Sequence, residues 1–143
     1  MSIFTAQNGT MSQTHLNGMN LKNADMRWSN LTGCHFKGAD LSGADFTGAD
    51  LSWCDFTDAN LTGATFKDAD LSNTVLTGAN FESGSLESAK LRKCTLVKLN
   101  ARNADLRGAD LGDSECYNAQ FEGSLLDGAK TEKTYGFKVY ATV

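Results

Sequence analysis

The four cysteines are the side chains best suited to bind a metal ion or to form a covalent bond, and their spacing bears on both possibilities. Zinc sites commonly take two cysteines two to four residues apart, and no pair here has that spacing. Three of them instead differ by multiples of 20, namely Cys34, Cys54 and Cys94. This spacing predicts buried thiols that fill space as small apolar groups, and neither a metal site nor a disulfide.

The two histidines follow the same spacing. His15 and His35 are 20 residues apart, and Asp55 follows 20 residues later. Two imidazoles and a carboxylate match a zinc-ligand set by type, but three ligands along one straight column do not converge on a tetrahedral ion. We therefore predict solvated surface residues at these positions, with no metal site and no cofactor.

The elements that position these residues follow a strict period of five. From Leu16 to Leu126 every fifth residue is Leu or Phe, except for Met26, Ala101 and Cys116. A helix repeats every 3.6 residues and a strand every two, so a period of five requires a backbone that turns a corner after each unit. The recurring side chains are expected to form the core of a solenoid: Leu16, Leu21, Met26, Leu31, Phe36, Leu41, Phe46, Leu51, Phe56, Leu61, Phe66, Leu71, Leu76, Phe81, Leu86, Leu91, Leu96, Leu106, Leu111, Phe121 and Leu126.

The residues beside each core position indicate how the units pack. The residue two positions earlier is small almost throughout, which suits a narrow interior. Leu99 is the large exception at this small position, and Ala101 is the small residue at the core position of the same unit. The large and small positions have therefore exchanged, which keeps the side-chain volume in the interior. The residue two positions later is most often Gly or Asn, which tolerate the positive φ of a tight corner. Pro is absent, as expected if backbone N–H groups bond the neighbouring units.

The spacing of 20 predicts four five-residue units in each turn of the solenoid. A second column with this spacing consists of amides and one carboxylate: Asn20, Asp40, Asn60, Asn80, Asn100 and Gln120. We therefore predict a four-sided β-helix of about six coils. In such a helix each unit buries its apolar side chain by stacking on the unit of the next coil. The amide column is expected to form a ladder of side-chain hydrogen bonds.

The units at 39–43 (ADLSG), 44–48 (ADFTG) and 59–63 (ANLTG) carry a resemblance to a known family. They resemble the pentapeptide-repeat family, whose units read A(D/N)LXX. The resemblance implies an all-β fold, a right-handed quadrilateral β-helix with four pentads per coil. It implies much less about activity.

Three segments are expected along the chain. Residues 1–13 form an N-terminal cap, residues 14–130 the β-helix, and residues 131–143 a strand-like tail. Within the tail, the segment from Tyr135 to Val139 alternates apolar and polar residues outside the repeat register. The tail either caps the last coil or pairs with a second copy in a homodimer, and the sequence leaves both open.

Composition limits the classes of function. The formal net charge of -4 is too small to indicate a nucleic-acid or membrane partner. The N-terminus lacks a basic segment followed by an apolar run, and no stretch of 18 apolar residues occurs, so we expect a cytoplasmic protein. A filled rod also offers no concave pocket where catalytic groups converge, so we predict that the chain is not an enzyme.

Exposed aromatic and charged side chains are the candidate contacts with a protein partner. Trp28 and Trp53 stand at corners usually held by Gly or Asn, and exposed tryptophan is enriched at binding hot spots. Acidic residues concentrate in 39–70 and basic residues in 86–107. We predict a rigid protein-interaction or scaffold module whose contacts include Trp28, Trp53, Arg92, Arg102, Asp50, Asp70, Tyr135 and Phe137.

The resemblance also implies an alternative function. A subset of the family binds DNA gyrase and other type II topoisomerases by imitating DNA and confers protection or resistance. B-DNA carries one charge per ~1.7 Å, so a mimic ~28 Å long would present on the order of 16 negative charges. This chain has a net charge of -4. A need for Asp beside each corner of the repeat explains most of its partial stripe of aspartates.

Overall fold

The computed structural model describes residues 4–139, and parallel backbone ladders run through it from Thr5 to Tyr135. Each five-residue unit contributes one isolated bridge residue to the ladders, and each bridge joins residues 20 apart. The predicted four units per coil are therefore observed, and the chain forms a right-handed quadrilateral β-helix. Residues 4–139 contain no helix long and apolar enough to cross a membrane.

The four ladders define four outer faces, which we name after their first bridge residue. The Thr5 face extends to Leu125, the Thr10 face to Lys130, the His15 face to Tyr135 and the Asn20 face to Gln120. The ladders thus begin at Thr5 and end at Tyr135, so the coiled backbone extends beyond the expected bounds of 14–130 at both ends.

Backbone hydrogen bonds join each coil to the next. The core residue Phe36 donates its N–H to the carbonyl of Asp55 at 2.7 Å, and Gly38 donates to Thr57 at 2.9 Å. The bridge residue Asp55 bonds in the opposite direction, to the carbonyl of Cys34 at 3.1 Å. Because the N–H groups of bridge, core and corner residues bond the flanking coils, a proline at any of these three positions would remove an inter-coil bond.

The corners use the positive φ that the sequence predicts. In the unit around Leu41, the N–H of Ala44 bonds the carbonyl of Leu41 at 3.0 Å, and Gly43 has a φ of 69°. Trp53 holds the equivalent corner position with a φ of 63°. A type II turn needs positive φ at this position, so the recurrent Gly and Asn reflect backbone geometry.

The predicted core side chains lie inside the coils. All of them are buried except Leu126, which is half-buried near the C-terminal end and packs against the core. Leu99 and Ala101 are also buried, so the exchanged large and small positions both face the interior. The central coils hold an aromatic stack in which Phe36 and Phe56 lie parallel, with ring centroids 4.9 Å apart.

The C-terminal tail leaves the register after Tyr135. Gly136 occupies the next core position with a φ of 73°, and Phe137 turns onto the interior. Its ring centroid lies 4.9 Å from that of Phe121, which is buried. Phe137 therefore covers the end of the core, which is one of the two roles expected of the tail.

Candidate interaction surfaces

Outward Asp and Asn side chains close their own corners. Asp40 Oδ1 accepts the N–H of Ser42 at 3.1 Å and its hydroxyl at 2.7 Å, and Asn60 binds Thr62 in the same way. These local bonds replace the predicted amide ladder, because each side-chain oxygen is nearer to the turn two residues ahead than to the next coil. Within residues 4–139, only Asn80 and Asn100 bond across coils in that column, at 3.3 Å.

The cysteines are interior residues, as their spacing predicts. All four are buried free thiols. Cys54 lies with its Sγ 3.0 Å from the carbonyl oxygen of Leu31, and Cys94 lies 3.2 Å from the hydroxyl of Thr74. Burial raises the pKa of the Cys94 thiol from 9.0 to about 11 and that of Cys116 to about 12. The protonated thiols are poor nucleophiles and poor metal ligands.

The histidines stack on the outer surface. The rings of His15 and His35 are nearly parallel, with centroids 4.5 Å apart, and Asp55 is the next bridge residue on the His15 face. Within the described range 4–139, no group of three or more His, Cys, Asp or Glu side chains is arranged to hold a metal ion. The stacked imidazoles thus occupy the column that the sequence assigned to them.

The two arginines proposed as partner contacts already have partners in the chain. Arg92 donates to Asp113 at 2.6 Å and to Asp110 at 3.3 Å. Arg102 lies 3.9 Å from a carboxylate oxygen of Glu122. Part of the basic girdle is therefore neutralised, and a partner must compete with these intramolecular pairs to use either guanidinium.

The acidic stripe is partly neutralised as well. Asp50 and Asp70 are adjacent bridge residues on the Thr10 face, and each accepts the N–H of a serine two residues ahead. Lys90 follows them in the same ladder. On the Thr5 face, Asp25 accepts two bonds from Arg27 at 2.9 Å, and this pairing lowers the pKa of its carboxyl group. Local capping thus accounts for most outward aspartates.

The two tryptophans are exposed and lie on different edges. Trp28 is 56% exposed, and its ring lies against the backbone of Gly48, where a Cβ would overlap it. Trp53 is 67% exposed and stands at the edge between the Thr10 and His15 faces. Both remain available for contact, and because their edges are the two that bound the Thr10 face, one flat partner surface on that face can reach both.

The tail supplies an exposed aromatic and an open cleft. Tyr135 ends the His15 ladder and is 54% exposed, whereas Phe137 is half-buried on Phe121. Beside the tail lies an open cleft lined by Tyr117, Asn118, Ala119, Gln120, Glu122, Gly136 and Lys138. Of the two predicted tail contacts, Tyr135 is the one whose ring reaches the outer surface.

One face contains a set of residues that the sequence alone did not single out as a site. The His15 face carries Val75, Val97 and Tyr117 at outward positions, and Tyr117 is 51% exposed. Lys93 and Lys98 lie on its two edges in the same coil. The detectable signal was the spacing of 20 in the outward columns, which places these residues on one side of the rod.

The sequence matches a family model. The model for pentapeptide repeats matches in overlapping segments at residues 7–38, 25–63, 54–92 and 89–128, with eight copies of the repeat. A comparison with curated protein sequences found no match.

A comparison with solved structures found pentapeptide repeat proteins, of which the first shares the fold. A trypsin-treated form of QnrB1, a plasmid-mediated fluoroquinolone resistance protein, is 19% identical and aligns over 95% of this chain and 82% of its own, with a TM-score of 0.64. A pentapeptide repeat protein from the Arabidopsis thaliana thylakoid lumen is 34% identical over 73% of this chain and 66% of its own, with a TM-score of 0.45. HetL, from the cyanobacterium Nostoc sp. strain PCC 7120, is 20% identical over 92% of this chain and 88% of its own, with a TM-score of 0.40. By its family-model match, the chain belongs to the pentapeptide repeat family.

Proposed function

We propose that this protein is a non-catalytic, cytoplasmic interaction module that binds a protein partner on the flat faces of its β-helix. The observation that carries the proposal is the contrast between a filled interior and chemically distinct outer faces. Side chains from Leu16 to Phe121 occupy the axis of the coils, so binding groups are presented only outward. A stacked rod of this kind holds its surface residues at fixed spacing, which lowers the ordering cost of binding.

Trp53 is the strongest single candidate for a contact with that partner. It is 67% exposed at an edge of the rod, at a corner where most units have Gly or a small polar residue. Tryptophan contributes a large apolar area and an N–H donor, and it is enriched among residues that dominate binding energy. Asn73 occupies the same corner position one coil later. The fold therefore does not need a tryptophan side chain at this corner.

The experiment is affinity capture from source-cell extract with matched variants. Trp53→Asn supplies the residue that the next coil uses at this corner, and Ser83→Asn is the control at an exposed corner on the diagonally opposite edge. We expect a saturable partner that the wild type and Ser83→Asn retain and that Trp53→Asn loses. Capture of nothing above background by the wild type contradicts the proposal, as does equal capture by Trp53→Asn.

Topoisomerase protection is the alternative function, and the likeness to QnrB1 at 19% identity is a likeness of fold. A DNA mimic needs a continuous acidic surface. Here Lys90 interrupts the aspartates of the Thr10 face, and Arg27 and Arg107 pair with those of the Thr5 face. A gyrase supercoiling assay at low salt, with and without a quinolone, tests this alternative, and an inert protein in both assays eliminates it.

A further inference from the structure

Several charged side chains on the His15 face and its edges have no ion-pair partner within residues 4–139. Five of the six ion pairs within residues 4–139 join side chains on the other three faces, and the sixth joins Arg92 to Asp113 at an edge. Among the described residues, no ion pair includes Asp58, Lys93, Lys98 or Glu115. Their charges are therefore available to a second molecule.

The signs of these charges alternate along the face around a central uncharged coil. That coil presents Val75 and Thr77. The coil before it carries Asp55 and Asp58, and the coil after it carries Lys93 and Lys98. A pattern that changes sign about its own centre is complementary to itself when one copy is reversed.

We propose that two copies of this chain pair through their His15 faces as an antiparallel dimer, with the two-fold axis passing beside Val75. In this arrangement the axis lies in the interface and is perpendicular to both rods. Each edge of the face then meets the same edge of the second copy, with the direction of the coils reversed. Val75 lies against Val75 of the second copy, and the apolar centre becomes the middle of the interface.

The two-fold axis pairs three further groups with complementary ones. Asp58 meets Lys98 of the second copy, because the two lie on the same edge, one coil on either side of the axis. Trp53 meets Lys93 on the other edge, where an indole and an ammonium attract each other. His35 meets Glu115 near the ends of the contact. Every contact occurs twice by symmetry.

The available area is sufficient for a specific dimer. The accessible surface of 7015 Å² divides among four faces as about 1,750 Å² each. A standard interface buries about 800 Å² per partner, so about half of one face meets that requirement. The exposed aromatics on or beside this face, Trp53, Tyr117 and Tyr135, are of the type that interfaces concentrate.

The Asn20 and Thr5 faces fit this arrangement less well. The Asn20 face presents amides and hydroxyls that cap their own turns, as Asn60 does with Thr62. The Thr5 face has its aspartates paired with Arg27 and Arg107. A reversed copy on the Thr5 face would have to compete with these ion pairs. On the His15 face Asp55 caps Thr57 as Asn60 caps Thr62, but Asp58 and Lys98, which meet across the two-fold axis, have no ion-pair partner within residues 4–139.

Charge exchange at one symmetric pair tests the proposal. Sedimentation equilibrium of the purified full chain should show a dimer that weakens as salt increases. Asp58→Lys and Lys98→Asp should each raise the dimer dissociation constant by about tenfold or more, because each places two like-charge pairs in the interface. The double variant Asp58→Lys/Lys98→Asp should return it to within about threefold of the wild type, which a misfolded variant cannot do.

Two further variants separate this dimer from other assemblies. Asp68→Lys is the matched control, because Asp68 is an exposed corner residue of the same coil as Asp58 but on a different edge, with a φ of 59°. Val75→Cys should form an intermolecular disulfide under mild oxidation, and Thr65→Cys on the Thr5 face should not. The native thiols are buried and therefore do not compete.

A monomer at every concentration overturns the proposal, and so does a dimer that both single reversals leave intact. If the dimer survives both reversals but disappears when the chain is truncated after Lys133, the tail holds the two copies together. Because purified protein is used, failure of this dimer leaves the capture of a different partner by Trp53 untouched. A confirmed dimer would cover Trp53, so that partner would then have to compete with the second copy.

Discussion

The central coils and the C-terminal coil are built from the same repeat but are packed differently. Phe46 and Phe66 lie parallel at 4.7 Å, and Phe56 meets both edge-on at about 6 Å. At the C-terminal end, Phe121 has one aromatic neighbour within the described range, Phe137, at 4.9 Å and an angle of 46°. A core residue in the middle has a coil on each side, whereas one at the end depends on the tail.

This difference shows how stability is distributed along the rod. Each coil is stabilised mainly by its two neighbours. The free energy of local unfolding is therefore highest in the middle of the rod, and the ends unfold first. The core residue Leu126, which is only half-buried, marks the same gradient at the C-terminal end. The tail is therefore a structural part of the last coil as well as a candidate contact.

Truncation of Phe56 should produce the largest effect. Phe56→Ala leaves a cavity in the middle of the aromatic stack and should lower the free energy of unfolding by about 3–5 kcal/mol, measured by urea denaturation followed by circular dichroism. Phe56→Leu is the control, since Leu76 fills the same column, and it should cost less than about 1.5 kcal/mol. Equal losses for both variants would contradict the role of the stack.

The exchanged pair Leu99 and Ala101 tests core packing in the C-terminal half of the rod. Leu99→Ala should cost about 2–5 kcal/mol, because Ala101 leaves no large side chain in that unit. Adding Ala101→Leu restores the usual order of sizes and should recover at least about half of the loss. Thermal and urea unfolding give both values, and no recovery in the double variant would show that the neighbouring coils have adapted to the exchange.

Removing the cap should have a smaller, localised effect. Phe137 is half-buried, so Phe137→Ala should cost about 1–2 kcal/mol. Hydrogen exchange should speed up at the amides of Cys116 and Ala119 and remain unchanged around Phe46. Lys138→Ala is the control on the exposed side of the same segment. Uniform acceleration along the rod would contradict a graded, coil-by-coil stability.

Alkaline pH should produce the smallest effect, at the buried thiols. The pKa of Cys94 is raised by burial from 9.0 to about 11, so the folded state disfavours the thiolate. The thiol's contribution is therefore intact below pH 9.0 and is lost as the pH rises toward 11. In Cys94→Ala the loss of unfolding free energy between pH 9.0 and pH 10 should be smaller by about 1 kcal/mol, measured by urea denaturation. An unchanged slope would mean that Cys94 titrates normally.

Much of the fold could be predicted from the sequence because each unit meets its requirements locally. The large residue at every fifth position specifies the core. The small residue two positions before it leaves room for that side chain, and the Gly or Asn two positions after it forms the corner. None of these requirements depends on distant contacts. The columns of Cys34 and His15 followed from the same count. The family resemblance added handedness, which the spacing did not supply.

The chemistry of the surface was less predictable because it depends on rotamers and on competition between neighbours. Arg92 has acidic groups within reach, and only three-dimensional placement selects Asp110 and Asp113. Asn60 could bond the next coil or its own turn, and the turn is nearer.

The period of five and the membership of each column were determined by the sequence itself, because side-chain volume and backbone φ preferences act within a single unit. The tertiary structure decided which charges remain unpaired within residues 4–139 and where Phe137 lies. Both depend on contacts between residues a full coil or more apart, where direction and distance matter as well as residue type. The unpaired charges of the His15 face and the cap on Phe121 are therefore properties of the stacked rod.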